Sequence, residues 1–112
     1  MEVFSRKHGK ICVVAFSGRL TLGEVEVKLK RSFVALLDSG ERRFVFHMAA
    51  VPYVDSAGVG ELVACAKRAY ERGGVIKIVL PNDCLTYQIF VKTSLDKVFE
   101  LYSTEDAALA SF

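Results

Sequence analysis

A chain of 112 residues can build one hydrophobic core and is too short for two, so residues 1–112 are expected to form a single domain. Hydrophobic residues at 52% and charged residues at 25% match ordinary folded proteins and exclude a disordered tail. Fifteen Lys and Arg against thirteen Asp and Glu leave a net charge of +2, which excludes the strong field needed to hold a nucleic-acid backbone or an anionic membrane.

Met1 to Lys10 carries charge at Glu2, Arg6, Lys7 and Lys10 and does not read as a signal peptide. No run reaches the about 18 apolar residues that span a bilayer, so a cytoplasmic location without membrane insertion is expected. Glu2 to Arg6 reads as a weak strand pairing across His8-Gly9 with Lys10 to Gly18, a buried strand rich in Val, Ile and Phe that closes in a turn. Glu24 to Leu37 places Val25, Leu29, Phe33, Leu36 and Leu37 at helical spacing and ends at Asp38-Ser39-Gly40. Arg43 to Met48 is apolar enough for a central strand. A second helix starts at Asp55-Ser56, two good capping residues, with Val59, Leu62, Val63, Ala66, Ala69 and Tyr70 assigned to one face, and stops at Gly73-Gly74. Val75 to Leu80 is a strand, and Pro81-Asn82-Asp83 leads into a third helix through about Lys92. Lys97 to Tyr102 reads as a short strand, and Thr104 caps a short helix to Ala110 with Glu105 and Asp106 in its first turn. Strands alternating with helices predict an α/β domain with helices on at least one face of the sheet.

Cys12, Cys65 and Cys84 are far apart, without metal-ligand spacing to each other or to a histidine, and read as reduced, mostly buried thiols. The informative stretch is Val51 to Gly60. A strand delivers the chain to Asp55 and a helix leaves from it, so the Ser56 hydroxyl belongs to the first helical turn. There the backbone N–H groups lack intrahelical partners and the dipole is positive, which suits an anion. Either Asp55 or Ser56 serves as N-cap. Gly58 and Gly60 remove side chains where another backbone could come close, at about 1 kcal/mol each relative to Ala in a helix. Ser56 as an enzymic nucleophile is disfavoured, because the nucleophile elbow needs Gly where Val54 stands. His47 as a base partnered by Asp55 is disfavoured by its place in an apolar strand.

At Asp55 to Gly60 the chain resembles the sulfate transporter and anti-sigma factor antagonist (STAS) domain family, whose hallmark is Asp-Ser-[Ser/Thr/Ala]-Gly-[Leu/Val]-Gly at a strand-to-helix junction. The likeness extends to the Gly18-Arg19-Leu20 turn and to Arg72-Gly73-Gly74. It also takes in Thr93 to Tyr102, similar to the family's Ser/Thr-Gly-Leu-Asp-x-x-Phe-x-Ile-Tyr. It implies an α/β fold with a mixed sheet of four to five strands covered by about four helices. It further implies a free-standing bacterial anti-sigma factor antagonist that binds an anti-sigma factor, itself a serine kinase, and releases a sigma factor. Ser56 is then the phosphorylation site, and a PP2C-type phosphatase restores the hydroxyl. Asp55, Ser56, Ala57, Gly58, Val59 and Gly60 form the partner-binding surface together with the turn Thr21-Leu22-Gly23. No catalytic residue, metal or cofactor of the chain's own is implied, since ATP and magnesium belong to the kinase.

Two departures bear on that expectation. Thr21 stands where the family often carries Asp, which puts the partner's identity and the efficiency of phosphorylation in question. His47 stands where Asp or Asn is common, and the apolar run from Ala49 to Tyr53 leaves open pairing with another copy, as a homodimer, or with another domain. The alternative is a non-phosphorylated STAS scaffold, such as a subunit of a lipid-transport ABC complex or of a stressosome-like assembly.

Overall fold

Alternation along the central strands creates two apolar faces that must both be covered. In the computed structural model, which describes residues 1–112, β2 (Ile11–Ser17), β3 (Arg43–Ala50) and β4 (Val75–Val79) run parallel in the middle of a five-stranded sheet of order β1-β2-β3-β4-β5. The edges are β1 (Glu2–His8), antiparallel to β2, and β5 (Glu100–Tyr102), parallel to β4. Cys12, Val14, Phe16, Phe44, Phe46 and Ile78 point into the main core, while Ile11, Val13, Val45 and Val79 point to the other side.

Helices α1 (Arg31–Asp38), α2 (Ser56–Glu71), α3 (Leu85–Lys92) and α4 (Leu95–Val98) contribute Phe33, Leu37, Leu62, Cys65, Phe90 and Leu95 to the main core. Phe33 meets Phe44 and Phe46 edge-on at centroid distances of 4.9 and 5.4 Å, and Phe16 meets Phe46 at 5.1 Å, the preferred arrangement of aromatic quadrupoles. The second face is closed by α5 (Glu105–Ala110), where Ala108 packs against the strand residues and Thr104 caps the helix through Ala107 N–H at 3.2 Å. Lys77 also lies on this face and is 7% exposed. It donates to Ser111 O and Oγ at 2.9 and 2.8 Å with the Phe112 ring beneath it, so a buried ammonium holds the end of the chain.

Three expectations are corrected. The helix expected over Glu24 to Leu37 begins as a π-wound stretch, Val25–Lys30, that runs directly into α1. Val25, Leu29, Phe33 and Leu37 are all buried at a strict spacing of four. A regular helix of 3.6 residues per turn would rotate such a stripe by about 40° at each step. Wider winding in the first turns keeps Val25 and Leu29 facing the sheet. In α2 the buried face is Gly58, Leu62, Cys65 and Ala69, whereas Val63 and Tyr70 are 43% and 84% exposed. The expected strand Lys97 to Tyr102 is one turn of helix, α4, followed by the shorter β5. Ser94 precedes that turn at φ 61°, a left-handed conformation that lets the chain reverse between α3 and α4.

Candidate functional site

The site is built where the carboxyl ends of β2 and β3 meet the start of α2. Beyond β2, Leu20 forms an isolated parallel bridge with Val54. Leu20 N–H donates to Tyr53 O at 3.0 Å, and Asp55 N–H donates to Leu20 O at 3.2 Å. Both segments are pinned by buried apolar side chains, with Leu20, Val51 and Val54 all at most 2% exposed. Thr86 on α3 adds a hydroxyl donated to Val51 O, which fixes the exit of β3 against the third helix.

Asp55 does the capping. Its Oδ1 accepts from Gly58 N–H at 2.9 Å, and its Oδ2 accepts from Leu22 N–H at 3.0 Å. One carboxylate therefore closes the helix end and tethers the Thr21-Leu22-Gly23 turn beside it, so the two stretches expected to share a surface do lie together. Ser56 is the first residue of α2, is exposed, and its hydroxyl makes no hydrogen bond within the chain. Ala57 and Val59 are half-buried. Leu22 presents a side chain that is 74% exposed.

The two glycines have different reasons. A Cβ on Gly58 would lie 2.5 Å from Leu20 O and 2.7 Å from Val54 Cγ1, so the helix can approach the pinned segment only without a side chain there. Gly60 has nothing within 4 Å of a Cβ position and is exposed. Internal packing explains the first glycine and leaves the second bare.

A cavity of about 310 Å³ opens beside Ser56, with Tyr53, Val54, Val59 and Ile89 supplying apolar wall and Lys92 and Thr93 the far rim. The α3 residues of this wall were not singled out from sequence. Their only sequence sign is a cation in the last turn of a helix, which is ordinary. Arg19 stacks over the Tyr53 ring at 5.0 Å. A larger depression of about 400 Å³ sits at the other end of the sheet, lined by Lys7, Lys10, Arg42 and Arg43, and includes no residue of the motif.

His47 pairs in register with Ala15 and Val79, on the sheet face away from α2, so it does not meet Ser56 or Asp55. Of the apolar run from Ala49 to Tyr53, Ala49, Ala50 and Pro52 are exposed, Tyr53 is half-buried and Val51 is buried. Cys12 and Cys65 are buried free thiols, and Cys84 is half-buried. Burial, then the Glu41 carboxylate, pushes the Cys12 thiol up against an opposing pull from Lys7. Burial, then Glu61, pushes the Cys65 thiol far up against a smaller opposing effect of Arg68.

The STAS domain model matches residues 3–108. The crystal structure of an anti-sigma factor antagonist from Mycobacterium paratuberculosis superposes with a TM-score of 0.86 at 25% identity, over 98% of this chain and 92% of that one. A putative anti-sigma factor antagonist from Thermotoga maritima gives 0.87 at 20% identity, over 97% and 92%. The phosphorylated form of the Bacillus cell fate determinant SpoIIAA gives 0.70 at 18% identity, over 98% of both chains, and with the Thermotoga protein shares the fold. No curated protein matches the chain significantly. No helix is long and apolar enough to cross a membrane. With the signature at the junction of β3 and α2, the parallel core with its antiparallel edge, and the family match over nearly all residues, the chain belongs to the STAS domain family.

Proposed function

We propose that the protein is a phosphorylatable anti-sigma factor antagonist acting in the cytoplasm by binding rather than by catalysis. The observation that carries this reading is the free, exposed hydroxyl of Ser56 beside an Asp55 whose two oxygens already do the capping and tethering. Modification at Ser56 breaks no internal bond, so the fold can accept it. The docking face comprises Ser56, Gly60 and Val63 on the outer stripe of α2, with Leu22 and the Thr21-Gly23 turn beside them.

The partner is an anti-sigma factor that is itself a serine kinase, and docking releases the sigma factor. The kinase transfers a phosphoryl group from magnesium-bound ATP to Ser56, and a PP2C-type phosphatase removes it. Phosphorylation adds about −1.5 to −2 charges at neutral pH next to the fixed charge of Asp55. Such an anion, unpaired in a closed interface, costs several kcal/mol, and about 3 kcal/mol is a hundredfold in affinity. The first turn of α2 tolerates the same charge, because its free N–H groups and dipole favour it.

Mass spectrometry after incubation with ATP, magnesium and the anti-sigma serine kinases of the source genome tests this. The expected result is a gain of one phosphoryl group on Ser56, absent in Ser56→Ala. A chain that binds such partners and is modified by none of them is instead a fixed STAS scaffold.

A further inference from the structure

The geometry of the cavity beside Ser56 points to Lys92 as the counter-ion of the phosphoryl group, an inference that rests on the phosphorylation proposed above. A phosphoserine at position 56 places up to about two negative charges beside Asp55. Asp55 cannot turn away, because its oxygens are held by Gly58 N–H and Leu22 N–H, and it already occupies one of the donors of the helix end. The dianion therefore needs a cation that is free and within reach.

Arg6, Lys7, Lys30, Arg68, Arg72 and Lys77 are each engaged in an ion pair. Lys92 has no carboxylate partner. It ends α3 and lines the cavity of about 310 Å³ that Ser56 also lines, with Val54, Val59 and Ile89 between them. Ser56 and Lys92 are both exposed, so the pair is a surface one, and the double charge of the phosphoryl group is what favours it. Thr93, on the same rim, offers a further hydroxyl, although its Oγ1 already donates to Ile89 O at 2.7 Å. The other charged or titratable groups lining the cavity are Asp55 and Tyr53; outside its wall at this end, Arg19 stacks on the Tyr53 ring, and Glu24, which follows the Thr21-Leu22-Gly23 turn, pairs with the Met1 ammonium.

Pairing with Lys92 draws the phosphoryl group across the mouth of the cavity. Modification then does two things: the part of the phosphoryl charge that one lysine leaves unneutralised stays on the docking face beside Asp55, and the apolar recess next to Ser56 is covered.

The test uses the full chain with phosphoserine installed at position 56 during translation, so that no kinase is needed, and follows the second phosphate ionisation by phosphorus NMR. In the parent protein this ionisation is expected below the ordinary value of about 6, by about half a unit or more. Lys92→Gln is expected to return it to the ordinary value, and Lys92→Arg to keep it low. Lys67→Gln, on the exposed stripe of α2, is expected to leave it in place. Identical titration of the parent and Lys92→Gln proteins overturns the pairing, as does an equal shift in Lys67→Gln, which would signify a general charge effect. Failure of every kinase to modify native Ser56 would overturn the proposed function without altering this titration, so the two failures are distinguishable.

Discussion

Gly58, Gly60 and Ser94 show how single residues set this junction and its surroundings. Gly58→Ala gains about 1 kcal/mol of helix propensity but forces a methyl group against Leu20 O, an overpacking that costs about 1–3 kcal/mol. A net loss of stability is expected in urea denaturation, whereas Gly60→Ala, with open space around it, is expected to gain up to about 1 kcal/mol. Equal effects of the two substitutions would mean that the close approach at Leu20 is not what selects glycine. Ser94 occupies the place where the family pattern has Gly, and its φ of 61° supplies the reason for that preference. Ser94→Gly is expected to raise stability by about 1 kcal/mol, read as a higher urea midpoint with unchanged slope. The Asp-Ser-Ala-Gly-Val-Gly signature was legible in the sequence down to the individual residue. The choice between Asp55 and Ser56 as cap was not, because both side chains can cap and only the position of Leu22 N–H decides which one is held from two sides.

At the scale of elements, α2 carries two faces with different duties. Leu62, Cys65 and Ala69 hold it to the sheet, while Ser56, Gly60, Val63 and Lys67 form the stripe left to solvent. Periodicity located the helix but put Val63 and Tyr70 on its inner face, since apolar residues nearly encircle α2 and only packing against the Val25–Lys30 stretch, β4 and α4 selects a side. Val63→Glu is expected to weaken partner binding tenfold or more, measured by calorimetry, while changing stability by no more than about 0.5 kcal/mol. Unchanged affinity would remove the outer stripe of α2 from the docking face. The central strands were legible because both of their faces are buried and they read as near-continuous apolar runs, and α4 was not, because a four-residue helix entered through a left-handed serine leaves no periodic trace. The cavity wall was equally hidden. Ile89 and Lys92 share a cavity with Ser56 because α3 packs beside the exit of β3, where Thr86 holds Val51 O.

Across the whole molecule, the sheet separates a rigid interior from one chemically open end. Cys12 and Cys65 lie within that interior, and burial raises both thiols above the ordinary value of 9.0. The unfolded chain releases these protons first as pH rises, so their contribution to stability is complete below 9.0 and is lost as pH climbs toward the folded-state values. Urea midpoints are expected to fall above about pH 9, and to fall less in Cys65→Ala. An equal fall in that variant would assign the loss to other groups. In the proposed switch, the end of the molecule that carries the motif has only to keep its shape while Ser56 gains charge. The most direct measurement is therefore the affinity of the anti-sigma kinase for the protein with and without phosphoserine at position 56, taken together with the melting temperature of both forms. The phosphorylated form is expected to bind at least about a hundredfold more weakly, a difference of about 3 kcal/mol, with melting temperatures that agree closely. Equal affinity of the two forms, or binding lost only because the phosphorylated chain unfolds, would contradict it.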